Sequence, residues 1–123
     1  MPNRPAALIV EDQPFVGMVA SDILRESGFE TFHAYDAKDA TALLDQHPEI
    51  EVVVTEAVLP GPVGGIELAH QVSKERPGVQ LVVTANDELS QSEIPSGARM
   101  LRKPYASGDL RTLVAGKSLL AEA

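Results

Sequence analysis

The chain has 123 residues, 44% of them hydrophobic, which suffices for one domain with a buried core (residues 1–123) and leaves no room for a second. Its formal net charge of −8 has the wrong sign for holding a phosphate backbone, so nucleic acid is excluded as a direct partner and basic protein surfaces are favoured. Cysteine is absent, which excludes a disulfide framework, a thiolate metal site and a cysteine nucleophile together.

The amino terminus MPNRPAALIV lacks the long apolar stretch and small-residue cleavage pattern of a secretion signal, and no run approaches the length of a membrane span. A soluble, cytoplasmic protein without membrane contact is the expectation. The run AALIV from Ala6 to Val10 suits a strand covered on both faces, as in a parallel sheet, and it stops abruptly at Glu11-Asp12. From Pro14 to Ser27, Val16, Val19, Ala20, Ile23 and Leu24 recur at helical spacing, with Pro14 fitted to a first turn and Gly28 to a C-terminal stop. Phe29 to Tyr35 reads as an edge strand, after which Asp36 can cap a helix whose inner face is Ala40, Leu43 and Leu44 and which closes before Pro48.

EVVVT, residues 51–55, is a second apolar run that ends at an acidic residue, Glu56, and the following AVLPGPVGG should be a tightly shaped loop. Leu68, Ala69 and Val72 form one side of a helix from Ile66 to Arg76, and Pro77-Gly78 turn the chain into VQLVVT, ending at Thr84. Asn86 to Gly97 is poor in apolar residues and contains Pro95, so a short helical turn or a loop is expected there. Ala98 to Arg102 makes a short last strand before Lys103-Pro104. Ser107 can cap a final helix that turns Leu110, Leu113, Val114 and the pair Leu119/Leu120 inward.

Five βα units predict an open parallel sheet with helices on both faces and right-handed crossovers. Sites in such sheets lie beyond the carboxyl ends of the strands, so the topology should bring Glu11, Asp12, Glu56, Thr84 and Lys103 to one edge. Two carboxylates about 4 Å apart repel by roughly 4 kcal/mol at an effective dielectric near 20, so three together call for a cation or a raised pKa. Oxygen ligands in this number suit Mg²⁺. A divalent ion beside a carboxylate, a hydroxyl and an ammonium is equipment for handling a phosphoryl group, where positioning and charge neutralisation dominate. The three histidines, His33, His47 and His70, have no metal-ligand spacing, and Gly61, Gly64 and Gly65 shape a turn rather than a Walker loop.

LIVEDQP, VVVTEAVLPG, LVVTA and RKPY, in this order over nearly the whole chain, resemble the motifs of the response-regulator receiver domain of two-component signalling. The resemblance implies a flavodoxin-like α/β fold with strand order 2-1-3-4-5 and a fourth helix that is here short or irregular. It further implies a regulatory domain rather than an enzyme, taking a phosphoryl group from a histidine kinase or phosphotransfer protein and passing its state to a downstream protein target. A homodimer is compatible with it. By the same resemblance Asp12, the acceptor position and the backbone carbonyl of Val58 bind Mg²⁺ directly, Glu11 acts through water, and Thr84 and Lys103 are the switch hydroxyl and the lysine.

Three features depart from the family pattern. Where the family has an acceptor aspartate this chain has Glu56, whose carboxylate sits about 1.5 Å further out, so acyl-phosphate formation should be severely slowed. Met100 stands where the family usually has an aromatic residue, three positions before Lys103, and Asn86 to Gly97 replaces a fuller helix of the output face. Glu56 then reads either as a degenerate site or as a partial imitation of the phosphorylated state. A Glu56 carboxylate on Lys103 with Thr84 turned inward would favour imitation. The leading expectation is a stand-alone receiver-like domain acting by protein contact. An ordinary phosphorylatable receiver carrying an introduced glutamate, and a metal-dependent phosphohydrolase, remain as alternatives.

Overall fold

In a computed structural model that describes residues 4–115, the run AALIV is β1 (Ala6–Val10), buried along its whole length. β2 (Glu30–Ala34), β3 (Ile50–Glu56), β4 (Gln80–Ala85) and β5 (Arg99–Arg102) join it in one parallel sheet of order β2-β1-β3-β4-β5. Successive strand residues point to opposite faces, and the central strands are apolar on both because both are covered. Leu8, Val10, Val53, Leu81 and Val83 pack beneath α2 (Ala37–Gln46) and α3 (Gly65–Glu75). Ala7, Ile9, Val52, Val54, Val82 and Leu101 pack beneath α1 (Pro14–Glu26) and α4 (Ser107–Leu113). The chain leaves β1 toward β2 and leaves β3 toward β4, which opens a crevice at the carboxyl ends of β1 and β3.

Local chemistry sets most helix limits. Pro14 opens α1, and Gly28, at φ 100°, takes the left-handed conformation that ends it. Asp36 caps α2 by accepting the Asp39 N–H at 2.8 Å. Ser107, however, is not a cap: it lies inside α4, whose first turn is closed by Asp109 accepting the Ala106 N–H at 3.0 Å.

One expectation about packing changes. Val19 is exposed, and the buried stripe of α1 is Gly17, Ala20, Ser21, Ile23 and Leu24. Gly17 lies against the His33 ring of β2, where an added Cβ would fall 2.1 Å from Cε1, and this close approach turns the 17-20-21-24 stripe to the sheet. The unit between β4 and β5 has no α-helix, only a 3₁₀ turn at Gln91–Glu93, in keeping with its few apolar residues and Pro95. The described residues therefore hold five strands and four α-helices. Leu119 and Leu120 lie outside the described residues. Among the described residues, no helix is long and apolar enough to cross a membrane.

Candidate functional site

One residue past their ends, β1 is tied to β2, β3 to β4 and β5 to β4, which fixes the backbone from which the site side chains project. Glu11 N–H donates to Ala34 O at 3.0 Å, Ala57 N–H to Thr84 O at 2.8 Å, and Lys103 N–H to Ala85 O at 2.8 Å. Glu56 and Thr84 are register partners across β3 and β4, so both lie on the face covered by α1 and α4. The Lys103-Pro104 peptide bond is cis.

The centre of the site is a lysine between two glutamates. Lys103 Nζ donates to Glu11 Oε1 at 2.6 Å and to Glu56 Oε2. Glu11, Glu56 and Thr84 are only 4%, 5% and 3% exposed. A buried carboxylate is tolerated when an opposite charge reaches it, and here one ammonium serves two. Burial by itself pulls the Lys103 ammonium toward the neutral form, but its hydrogen bonds to Glu11 and Glu56 and the charges of both hold its pKa above the ordinary lysine value. The second Glu11 oxygen, Oε2, accepts the Gln13 N–H at 3.2 Å, which fixes that carboxylate at the start of α1.

The structure places all five residues expected at the sheet edge there, but it does not gather them equally. Glu11, Glu56 and Lys103 are in contact and Thr84 is buried on the same face, whereas Asp12 is exposed and Val58 is 78% exposed in the loop after β3. Among the described residues, no three histidine or carboxylate side chains lie close enough together to hold a metal ion. So arranged, the donor set for Mg²⁺ is weakened: the two buried carboxylates are engaged by Lys103, and Asp12 stands apart from them. The cation required by clustered carboxylates is in this arrangement the lysine itself.

Residues outside the expected site set also shape it. His33 Nε2–H donates to the backbone carbonyl of Glu11 at 2.9 Å, and its ring stacks on Tyr35 with centroids 4.2 Å apart. A histidine on an edge strand carries no such signal, because only the pairing of Ile9 with His33 brings the ring there; the one hint was a glycine, Gly17, inside an amphipathic helix. Tyr105 is half-buried beside Thr84, Glu11 and Val16, and burial raises its phenol pKa, with Lys103 opposing and Glu11 and Glu56 adding to the shift. Gly65, the first residue of α3, has its place because an added Cβ would fall 1.6 Å from the carbonyl oxygen of Glu56. Thr55 Oγ1 donates to that same oxygen at 3.0 Å.

Gly65→Ala should accordingly displace α3 or the end of β3, at a cost of about 1–3 kcal/mol typical of overpacking. Chemical denaturation measures the loss. Gly64→Ala, whose Cβ would have 3.8 Å to the Ala57 carbonyl, should stay within about 0.5 kcal/mol of the parent, and equal losses in both would contradict this account.

The family model described as response regulator receiver domain matches residues 7–115 of the chain. The chain is 30% identical over 117 residues to the transcriptional regulatory protein PdtaR of Mycobacterium tuberculosis, covering 89% of this chain and 54% of that protein. It spans about half the length of the curated relatives it matches. Among solved structures, the receiver domain of NtrX from Brucella abortus superposes with a TM-score of 0.79 at 28% identity, covering 95% of this chain and 98% of that one. The signal receiver domain of an HD domain-containing protein from Pseudomonas fluorescens Pf-5 gives 0.84 at 22% identity, covering 94% of each, a likeness of fold.

Proposed function

The chain belongs to the response regulator receiver domain family, and from that premise we propose that it is a two-component signalling domain whose state is set by Glu56 rather than by a phosphoryl group. The observation that carries this reading is the bond from Lys103 Nζ to Glu56 Oε2 in a site where Thr84 is buried. Glu56 stands at the acceptor position, and its longer side chain delivers a negative charge to the lysine that would otherwise meet a phosphoryl oxygen. The imitation is partial, since a phosphoryl group brings about −1.5 to −2 charges and three acceptor oxygens.

The reading makes Glu11, Glu56 and Lys103 a self-neutralised cluster with a weakened hold on Mg²⁺, and Thr84 the hydroxyl kept on its inner side. Asp12 and the Val58 carbonyl are the remaining oxygen donors of the family pattern. The domain works in the cytoplasm by protein–protein contact, upstream with a histidine kinase or phosphotransfer protein and downstream with a protein target, and it performs no turnover of its own. The net charge of −8 favours partners with basic surfaces and disfavours direct contact with nucleic acid.

Incubation with acetyl phosphate and Mg²⁺, followed by intact-mass measurement, tests the reading. The protein should gain no phosphoryl group, and rapid labelling at Glu56 would overturn phosphate-independent signalling.

A further inference from the structure

Beyond the Glu56 site, a recess lies between α1 and the outermost strand on that side of the sheet. β2 pairs only with β1, and Thr31 and His33, the register partners of Ala7 and Ile9, lie on the face that α1 covers. The space between them and α1 is about 560 Å³, a size that suits a small ligand. Its apolar surface comes from Phe15, Met18 and Tyr35, all exposed, with Tyr35 stacked on the His33 ring.

Three polar groups of the recess have unused hydrogen-bonding capacity. Ser21 is 5% exposed, and its hydroxyl has no hydrogen-bond partner among the described residues. Among those residues no fully enclosed polar side-chain atom lacks a partner, so the Ser21 hydroxyl opens onto the recess it lines. The Thr31 hydroxyl, on the β2 wall, is also without a partner among the described residues. His33 donates Nε2–H to the Glu11 carbonyl at 2.9 Å, which leaves Nδ1 of the neutral ring as an acceptor.

These groups decide what fits. An apolar helix stripe laid into the recess would cover both hydroxyls and leave them unpaired, a desolvation loss with nothing to offset it. A second copy of the chain, itself at −8, would add repulsion. A planar heteroaromatic ring meets both requirements, since its faces pack on aromatic side chains while its edge atoms hydrogen-bond. Arg25 at the end of the recess already meets Asp22 at 3.2 Å, so the ring need carry no charge.

We propose that the recess between α1 and β2 binds a small neutral heteroaromatic ligand, held between Phe15, Met18 and Tyr35, with an N–H on His33 Nδ1 and an acceptor atom on the Ser21 and Thr31 hydroxyls. The inference does not depend on how Glu56 is read, because no residue of the recess belongs to the Glu11–Glu56–Lys103 cluster.

Titrating isotope-labelled full chain with benzimidazole, and in parallel with N-methylbenzimidazole, tests it above the pH at which either ring protonates. The first ring carries an N–H donor and a ring-nitrogen acceptor, and the second lacks the donor. Benzimidazole should give saturable shifts at Ser21, Thr31, His33 and Tyr35 and bind about fivefold tighter than its N-methyl analogue, the effect of one neutral hydrogen bond. Ser21→Ala combined with Thr31→Val should weaken it about tenfold. Because neither hydroxyl has a partner in the free chain, that double variant should lose binding without losing stability. No saturable shift at these residues, equal binding of the two rings, or undiminished binding to the double variant would each overturn the proposal. A leucine-striped helical peptide that shifted the same residues and bound more tightly than benzimidazole would also overturn it, by assigning the recess to a protein partner.

Discussion

Lys103→Met is expected to cost the domain about 3–5 kcal/mol at neutral pH, the range for breaking a buried ion pair by removing one partner. In a domain of this size that lowers the melting temperature by about 10–20 °C. The side chains are close in volume, so packing changes little, and the loss comes from leaving Glu11 and Glu56, only 4% and 5% exposed, beside each other without a cation. Two further measurements separate this cause from lost packing. Adding Glu11→Gln to Lys103→Met should recover part of the loss, because one of the two stranded charges is gone. Stability above neutral pH supplies the other. Since the folded state holds the Lys103 proton above its ordinary value, the ion pair contributes fully below the unfolded lysine pKa of about 10.4 and is lost as pH rises through the higher folded value. Denaturation series in alkali should show that decline in the parent and a smaller one in Lys103→Met. Parent-like stability of Lys103→Met at pH 7 would mean the lysine does not neutralise the site.

Glu56→Asp is expected to label with acetyl phosphate and Mg²⁺ about 10²-fold faster than the parent, the order of loss that follows a misplacement of about 1 Å in a reacting group. The shorter side chain withdraws the carboxylate from Lys103 by about 1.5 Å. It thereby frees the lysine for an incoming phosphoryl oxygen and the carboxylate oxygens for a metal ion. Leaving out Mg²⁺ should abolish the labelling, and intact mass after a timed quench reads both arms. If Glu56→Asp stayed inert with Mg²⁺ present, the rest of the site would have lost competence too, and Glu56 would be one sign of a decayed site rather than its controlling residue.

Much of this was legible in the chain because the signals are local. AALIV and EVVVT suited strands covered on both faces, and each ended on the acidic residue that the fold then placed at the sheet edge. Gly28, Asp36 and Pro48 marked helix limits through their own backbone and side-chain chemistry. The weakness of residues 86–97 as a helix was likewise a local property, and a 3₁₀ turn is what they form. Other features depend on distant neighbours. Ser107 falls inside α4, one residue past the cap position held by Ala106, and Val19 faced outward because a histidine on another strand fixed the rotation of α1.

The sequence by itself determined the alternation of strands and helices, the acidic strand ends and the lysine directly after the last strand, since each follows from residue type and spacing along the chain. Only the tertiary structure decided that Glu11, not Asp12, shares Lys103 with Glu56. Those partners are 92 and 47 residues from the lysine, and which of two adjacent carboxylates turns inward is set by strand register and by the His33 and Gln13 contacts that hold Glu11, none of which is encoded at the site itself.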